Sequence, residues 1–172
     1  MVVKTIVVGA LQTNCYILEN EKDALIIDPG DEPFKIETAL DKKLIGIIIT
    51  HHHDDHIGAL NYFKNKYKVP IYDYYNLNEG FHQIGTFTFV IDYMPGHTND
   101  SIVIYFQDEK IMFVGDFIFY HTIGRTDLEG GSWCDMKNSI NKLKQYPDVK
   151  LYSGHGKETS LEEERINNIY FN

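Results

Sequence analysis

The sequence predicts a mixed α/β domain in which two β-sheets pack face to face and helices cover their outer surfaces. Short apolar, strand-like segments recur in both halves of the chain, and segments with helical spacing of apolar residues stand between and after them. Elements of these two kinds bury their apolar faces when they stack in layers. No linker, low-complexity tract or internal repeat is visible, so we expect one domain over residues 1–172.

Apolar and β-branched residues, separated by turn-forming residues, mark the predicted strands. These strands lie at residues 2–8, 15–18, 24–27 and 45–49, around 71, and at 81–84, 86–93, 101–106, 110–114 and 149–152. Segment 45–49 is apolar throughout, as expected of a strand that is buried on both faces. The short connection Gln107-Asp108-Glu109 predicts a tight hairpin between the two strands that it joins.

Four segments have the apolar periodicity of amphipathic helices. They span residues 33–40, 56–68, 133–146 and 161–170. The inward faces of the first two are expected to carry Phe34, Ile36 and Leu40, and Ile57, Leu60 and Phe63. The last helix is expected to begin at Ser160, with Glu163 three positions later in a capping box.

Composition and charge limit the classes of function. The chain is 43% apolar and 24% charged, which is typical of a globular domain. A formal net charge of −9, without any Lys/Arg-rich run, argues against nucleic acid or an anionic membrane as a partner. We expect no signal peptide and no membrane span. Cys15 and Cys134 are too few for a disulfide framework, so we expect inert reduced thiols and a cytoplasmic location.

Four candidate metal ligands stand within six residues, directly after the apolar segment 44–49. They belong to the sequence Thr50-His51-His52-His53-Asp54-Asp55-His56. Three further candidates lie beside glycines, namely His97 in Pro95-Gly96-His97, Asp116 in Gly115-Asp116 and His155 in Gly154-His155-Gly156. A fold buries imidazoles and carboxylates together when a cation neutralises and orders them. Five histidines and two aspartates are enough for two divalent ions.

The spacing H-x-H-x-D-H suits two ions rather than one. His51 and His53 can bind one ion from the extended end of a strand. The next turn enters a helix and directs Asp55 and His56 to a second ion, and the helix N-terminus favours the Asp55 carboxylate. Asp116 follows a glycine at another strand end, and we expect it to lie between the two ions.

Taken in order, these motifs resemble the metallo-β-lactamase superfamily, and within it the glyoxalase II-like branch. The resemblance covers nearly the whole chain. It includes T-H-x-H-x-D-H-x-G at 50–58, P-G-H-T at 95–98, G-D at 115–116, G-H-G at 154–156, Gln12-Thr13-Asn14-Cys15-Tyr16, Asp28-Pro29-Gly30, the segment 123–128, and Glu158-Thr159 followed by Glu163 and Asn167. It implies an α/β (α+β) fold, a four-layer αββα sandwich of the metallo-β-lactamase type.

The resemblance also implies a ligand set. One ion is assigned to His51, His53 and His97, the other to Asp55, His56 and His155, and Asp116 would bridge them. Zn is the first expectation for both ions, with Fe or Mn as alternatives.

Two features differ from the family pattern. Asn99-Asp100 follows His97-Thr98 where the family often has Pro-Gly, which predicts a different loop shape. Full-length glyoxalase II enzymes carry a C-terminal helical domain that supplies glutathione-binding residues. This chain stops at Asn172, so we expect that domain and most of the glutathione pocket to be absent, and recognition of glutathione stays open.

Residues beside the ligands receive supporting roles. Asp28 is expected to order the metal loop as a hydrogen-bond acceptor. Arg125 and Asp127 form a polar pair that is either an internal salt bridge or a substrate contact, and His121 is either a surface residue or a substrate contact. Outside the ligand set we also place His52, Asp54 and His82. The segment Tyr72-Asp73-Tyr74-Tyr75 either packs on the core or lines a pocket.

The predicted function is a binuclear metal-dependent hydrolase that acts on a small-molecule acyl thioester or ester. In this mechanism a hydroxide bridging the two ions attacks the carbonyl carbon, with Asp55 orienting it and Asp116 holding the ions together. No G-x-S-x-G nucleophile elbow is present, and none is required.

Other functions remain open on the sequence alone. A mononuclear non-haem iron persulfide dioxygenase would use His53, His97 and Asp116 as a facial triad. A lactonase or β-lactamase would use the same two-metal site. The negative charge argues against a nuclease of the same superfamily, and the complete ligand set argues against a non-enzymatic metal-binding module. The sequence does not indicate an oligomeric state.

Overall fold

The polypeptide forms four layers, helices–sheet–sheet–helices, in a computed structural model that describes residues 1–171. The first sheet has the strand order β1-β2-β3-β4-β5 and consists of β1 (Val2–Val8), β2 (Thr13–Glu19), β3 (Asp23–Ile27), β4 (Lys43–Ile48) and β5 (Ile71–Tyr72). The αββα sandwich expected from the sequence is therefore confirmed.

The second sheet has six strands in the order β13-β12-β9-β8-β7-β6. They are β6 (Gly80–Ile84), β7 (Phe87–Tyr93), β8 (Ile102–Phe106), β9 (Ile111–Gly115), β12 (Lys150–Ser153) and β13 (Thr159–Ser160). A separate two-stranded hairpin consists of β10 (Ile118–Phe119) and β11 (Thr122–Ile123). The helices are α1 (Pro33–Thr38), α2 (Asp54–Ile57), α3 (Leu60–Tyr67), α4 (Trp133–Leu143) and α5 (Leu161–Asn167), followed by a 3₁₀ turn at Ile169–Phe171.

Alternating side chains on the central strands explain why these strands are apolar on both faces. On β9, Phe113 packs between the sheets, whereas Met112 and Val114 pack against the outer helices. On β2, Leu18 faces the opposite sheet and Ile17 faces the first helical layer. Successive side chains of a strand point to opposite faces, so a strand covered on both sides needs apolar residues at every position. Three stacked apolar clusters result, one between the sheets and one under each helical layer.

The predicted helix over residues 56–68 is wrong as a single element. The structure has two helices, α2 and α3, separated at Gly58 and Ala59. Gly58 packs against the turn at Pro29 and Gly30, where a Cβ on Gly58 would collide with the Gly30 carbonyl oxygen, and the Ala59 amide donates to the Pro29 carbonyl at 2.9 Å. These contacts with the turn at Pro29 and Gly30 interrupt the helix that the apolar periodicity predicts.

Two smaller expectations also need correction. Phe34 is 70% exposed, whereas Ile36 is fully buried, because residues two apart on a short helix point in opposite directions. The Ser160 hydroxyl accepts from the Glu163 amide at 3.1 Å, but the Glu163 carboxylate contacts His121 rather than completing the capping box. The hairpin β10–β11 was not predicted from sequence, because two-residue strands give no periodic signal.

The ends of β4, β9 and β12 lie at one edge of the sandwich. Strands β3 and β4 are parallel, and so are β9 and β12, so their carboxyl ends meet there. This edge carries the residues described below. Within residues 1–171, no helix combines the length and the apolar character that crossing a bilayer requires.

Candidate metal centre

Five different elements bring the candidate ligands to one place. The contributing segments are the loop from β4 to α2 for His51 and His53, α2 for Asp55 and His56, the β7–β8 loop for His97, the residue after β9 for Asp116, and the loop after β12 for His155. All of these lie at the same edge of the sandwich. The structure therefore brings together all seven residues predicted as ligands.

The ligand atoms form two clusters. His51, His53 and His97 place one nitrogen each within 4.8 Å of one another, and Asp55, His56 and His155 do the same with a carboxylate oxygen and two nitrogens. A third overlapping group joins Asp28 to His51 and His56. The first two groups are the sets that the family resemblance implies for the two ions.

Asp116 lies between these clusters. Its Oδ1 atom is 3.2 Å from Nε2 of His56, and its Oδ2 atom is 3.6 Å from Nε2 of His97 and 3.4 Å from Nε2 of His155. One carboxylate thus faces imidazoles of both groups, the placement that a bridging ligand needs.

Hydrogen bonds fix the orientation of four of the five imidazoles. Nδ1 of His51 lies 3.1 Å from Thr50 Oγ1, and Nδ1 of His56 lies 2.8 Å from Asp28 Oδ2. Nδ1 of His97 contacts the Arg125 carbonyl at 2.8 Å, and Nδ1 of His155 contacts the Leu11 carbonyl at 3.0 Å. Nε2 of each ring therefore points into the centre as the metal-facing atom. His53 is different, since its Nδ1 lies 2.9 Å from Nε2 of His97 and is itself the inward atom.

Three buried polar atoms test whether these residues fit a metal. His51 Nε2, His56 Nε2 and Asp116 Oδ1 make no well-aligned hydrogen bond within residues 1–171, although the last two atoms lie 3.2 Å apart. An unsatisfied buried polar atom costs about 1–3 kcal/mol, so three in one place indicate a missing partner that all of them share. A cation that accepts imidazole and carboxylate lone pairs provides that partner. The donor set fits divalent metal ions.

The charges in the centre point the same way. Burial lowers the pKa of His56, but Asp28 and Asp116 outweigh burial and raise it to about 10. Hydrogen bonds to Asp116 and Asp55 raise the pKa of His155 to about 10. Burial raises the pKa of Asp116, yet its histidine contacts lower it well below the usual range. The carboxylates of the centre therefore stabilise positive charge beside them.

His51 has a different electrostatic environment. Burial lowers its pKa well below the ordinary value, and the neighbouring His56 adds to the effect. Burial also lowers the pKa of His97. Both rings are therefore neutral at pH 7, which is the state that binds a metal.

Gly154 allows β12 to approach the centre. A Cβ at this position would lie 2.6 Å from Cε1 of His56 and closer still to Oδ1 of Asp116. Only a residue without a side chain fits between these groups. The glycine before His155 is therefore required by packing on two of the candidate ligands.

Residues at the start of β2 hold the His155 loop in place. Nδ2 of Asn14 donates to the carbonyls of Ser153 at 3.0 Å and Gly156 at 2.9 Å. The Tyr16 hydroxyl donates to the same Ser153 carbonyl at 2.6 Å, and Thr13 Oγ1 donates to Asp55 Oδ2 at 2.7 Å. Sequence reasoning gave these residues no role, although they belong to the segment 12–16 through which the chain resembles its family.

Asp28 makes the contacts that its predicted ordering role requires. It accepts from the backbone amide and the hydroxyl of Thr50, at 2.8 and 2.6 Å, and from Nδ1 of His56. Asp28 is nearly fully buried, so these contacts position two residues of the centre at once. Thr50, which sequence reasoning did not single out, connects Asp28 to His51.

The remaining predicted site residues lie around the centre. Arg125 forms a bidentate salt bridge with Asp127 at 2.7 and 2.8 Å, and both side chains are exposed. This is the internal salt bridge that the sequence left as one of two options. His121 contacts Glu163 through Nε2 at 2.6 Å, and its amide donates to Glu164. His52 lies between Asp100 and Asp73, at 2.6 and 3.4 Å, and the groups of candidate ligands do not include it.

The fold and this centre define a class of protein, and a comparison with family models agrees. The model of the metallo-β-lactamase superfamily matches residues 8–86 and 76–155. The chain belongs to the metallo-β-lactamase superfamily.

Two similar proteins of comparable length are named as hydrolases, one with a stated substrate and one without. The probable metallo-hydrolase YqgX of Bacillus subtilis (strain 168) is 34% identical over 96% of this chain and 95% of its own length. The hydroxyacylglutathione hydrolase GloC of Haemophilus influenzae is 30% identical over 100% of this chain and 99% of its own length. The name of this more distant relative supports the glyoxalase II-like resemblance.

Solved structures with the same fold have varied names. The BLEG-1 B3 metallo-β-lactamase has a TM-score of 0.94 at 33% identity, covering 99% of both chains. ETHE1 from Myxococcus xanthus has a TM-score of 0.89 at 26% identity, covering 98% of this chain and 84% of its own. TTHA1623 in a di-iron-bound form has a TM-score of 0.88 at 28% identity, covering 98% of this chain and 100% of its own.

Proposed function

We propose that the protein is a binuclear metal-dependent hydrolase that cleaves a thioester or an ester of a small acyl group. The observation that carries this proposal is the position of Asp116 between two clusters of three ligand-type residues. A carboxylate in that position can bind two cations at once, and paired cations are the machinery of many metallo-hydrolases.

The chain's own residues would divide the work. His51, His53 and His97 would hold one ion, Asp55, His56 and His155 the other, and Asp116 both. When bound, such ions lower the pKa of a water molecule and polarise the substrate carbonyl. Thr13 fixes the Asp55 carboxylate, so Asp55 would orient the attacking water by accepting a hydrogen bond.

A protein nucleophile has no place in this mechanism. Cys15 is fully buried, and burial raises the pKa of its thiol well above the ordinary value. Cys134 is exposed at the start of α4, and the candidate metal groups do not include it. Water is therefore the proposed nucleophile.

The relatives support hydrolysis but not one substrate. GloC is named a hydroxyacylglutathione hydrolase and matches over nearly its whole length, which favours thioesters. BLEG-1 is named a B3 metallo-β-lactamase, which keeps β-lactams and lactones as substrates to be tested beside thioesters.

Iron chemistry at a single ion is the second candidate function. His53 Nδ1 lies 2.9 Å from His97 Nε2, which lies 3.6 Å from Asp116 Oδ2, so these three side chains could bind one iron as a facial triad. The di-iron form of TTHA1623 supports iron as a metal for this fold. A persulfide dioxygenase would use this triad.

Metal analysis and a substrate panel on one preparation test these proposals. The protein is purified without chelators, its Zn, Fe and Mn are counted, and chelated protein is reloaded with each metal. Two ions per chain with hydrolysis of thioesters, esters, lactones or β-lactams would place the protein among the hydrolases and identify its preferred bond. One iron with persulfide-dependent oxygen uptake would favour the dioxygenase and contradict the first proposal.

Variants connect the activity to the centre. Asp116→Ala and His53→Ala are expected to lose metal and at least about a hundredfold in kcat/KM, as losses of metal-site residues commonly do. His82→Ala is the matched control, because His82 lies on β6 and contacts only the Asn78 carbonyl among its polar neighbours. Full metal content and full activity in Asp116→Ala would refute the assignment of the centre.

A further inference from the structure

An open groove begins at the candidate metal centre and extends away from it on the His53 side. Its walls include His52, Tyr75, Asp100, Leu128 and Glu129 in addition to His53. We refer to it as the Tyr75 groove. A substrate whose carbonyl reaches the centre would place its leaving group or its acyl arm here, so the lining of this groove bears on substrate choice.

The Tyr75 groove is lined by acidic side chains and by no lysine or arginine. None of its lining residues among residues 1–171 is Lys or Arg. His52 is held between the carboxylates of Asp100 and Asp73. His52, Asp73 and Asp100, the His52 trio, have a summed charge of −1 if His52 is protonated and −2 if it is neutral. The Glu129 carboxylate adds a further −1 to the wall of the groove. The sign of the charge is therefore the same in either protonation state.

An exposed aromatic ring accompanies this charge. Tyr75 is 74% exposed, so its ring is open to a ligand in the groove. Its ring lies against two others, Tyr74 at 5.5 Å and His52 at 5.4 Å between ring centres, which keep it at the groove. An aromatic face beside carboxylates is the environment that binds ammonium and quaternary ammonium groups.

Nearby cations are already engaged. The guanidinium of Arg125 is bound by Asp127, and Lys157 lies over the ring of Tyr120 at 3.3 Å. Neither residue lines the Tyr75 groove. A carboxylate on the substrate arm would therefore meet Glu129 and the His52 trio without a basic partner.

We propose that the Tyr75 groove binds an ammonium-bearing arm of the substrate, with Glu129 and Tyr75 as specificity-determining residues. This inference rests on the proposed hydrolase function and narrows it to thioesters or esters whose arm is cationic. Arm charge also changes the leaving thiol and its attraction to bound ions, so the groove is read from the change in substrate preference between the wild type and groove variants.

Three acetyl thioesters of similar size test the proposal. Acetylthiocholine carries a cationic arm, S-acetyl-N-acetylcysteamine a neutral one, and S-acetyl-3-mercaptopropionate an anionic one. The released thiol is measured with a chromogenic disulfide on the metal-loaded protein. Each kcat/KM is divided by the rate constant for hydroxide-catalysed hydrolysis of the same thioester, which removes differences in the leaving thiol. The expected order of this ratio is cationic, neutral, anionic, with steps of about fivefold, the size of an exposed charge contact. The preference should shrink at 0.5 M salt because of screening.

Variants separate the groove from the centre. Glu129→Gln should reduce the preference in kcat/KM for the cationic thioester, and Glu129→Lys should reverse it in favour of the anionic thioester. Tyr75→Ala should lower kcat/KM most for the cationic thioester. Glu109→Gln is the matched control, since Glu109 is exposed in the β8–β9 turn at the other end of the strands. An unchanged order of substrates in Glu129→Lys would overturn the proposal.

A binding measurement distinguishes failure of the groove from failure of the hydrolase function. Choline and propionate are titrated into the metal-loaded protein while the Tyr75 ring resonances are followed by NMR. Choline shifts that weaken in Glu129→Gln support the groove even if no thioester is cleaved, in which case only the hydrolase proposal fails. Thioester cleavage without charge preference, or propionate shifts larger than choline shifts, overturns the groove and leaves the hydrolase intact.

Discussion

Replacing Asn14 with Ala should weaken both the fold and the metal centre without removing a ligand. The Asn14 side chain donates to the carbonyls of Ser153 and Gly156, on either side of His155. Each hydrogen bond has a net value of about 1 kcal/mol, so the free energy of unfolding should fall by about 2 kcal/mol. For a chain of this size that corresponds to about 4–8 °C in Tm.

Urea unfolding of the metal-free protein gives the stability change, and competition with a chromophoric chelator gives the metal affinity. We expect Asn14→Ala to bind at least one ion more weakly, because the His155 loop loses its anchor while His155 remains. Asn141→Ala is the matched control, since Asn141 is exposed on α4 and Ala favours the helix. Wild-type stability together with wild-type metal affinity in Asn14→Ala would refute the anchoring role.

Three further predictions follow from the same structure. Gly154→Ala should lose metal binding, because its methyl group would collide with His56 and Asp116; elemental analysis of the purified variant checks this. In the metal-free protein the folded pKa of His56 is raised to about 10, so the stability it contributes is fully present below pH 6.5 and declines toward pH 10. Urea titrations at pH 6.5 and 9.5 should therefore show lower stability at the higher pH, and equal stability would contradict the pairing with carboxylates. A thiol reagent should label Cys134 but not Cys15 in the native protein, and both after denaturation; two native labels would contradict the burial of Cys15.

The strands and the ligand clusters could be predicted from sequence because their signals are local. Segment 45–49 is apolar at every position, and the structure covers β4 on both faces. The histidines and aspartates of the centre follow strand ends directly, so placing the strands at one edge also brought the ligands together. The ligand assignment itself rests on the family resemblance and stays a prediction until metal is measured.

Other features depend on contacts between distant segments, and no local pattern reveals them. The break between α2 and α3 is caused by packing of Gly58 on the turn at Gly30. The buried carboxylate of Glu164 accepts from Thr159, His121 and Asn168, and it reads in the sequence as one more acidic residue of a surface helix. The hydrogen bonds by which Asn14 holds the His155 loop also join segments that are far apart in the sequence.

The candidate ligands come from both halves of the sandwich. His51 and His56 follow β4 of one sheet, whereas Asp116 and His155 follow β9 and β12 of the other. One bound ion would join His51 to Asp116 and the other would join His56 to His155, so the two ions would cross-link the two sheets. Native-state hydrogen exchange should then slow on metal addition at this rim in both sheets, while the opposite rim, at the β8–β9 turn, keeps its rate. Catalysis and cohesion of the two halves would thus depend on the same atoms.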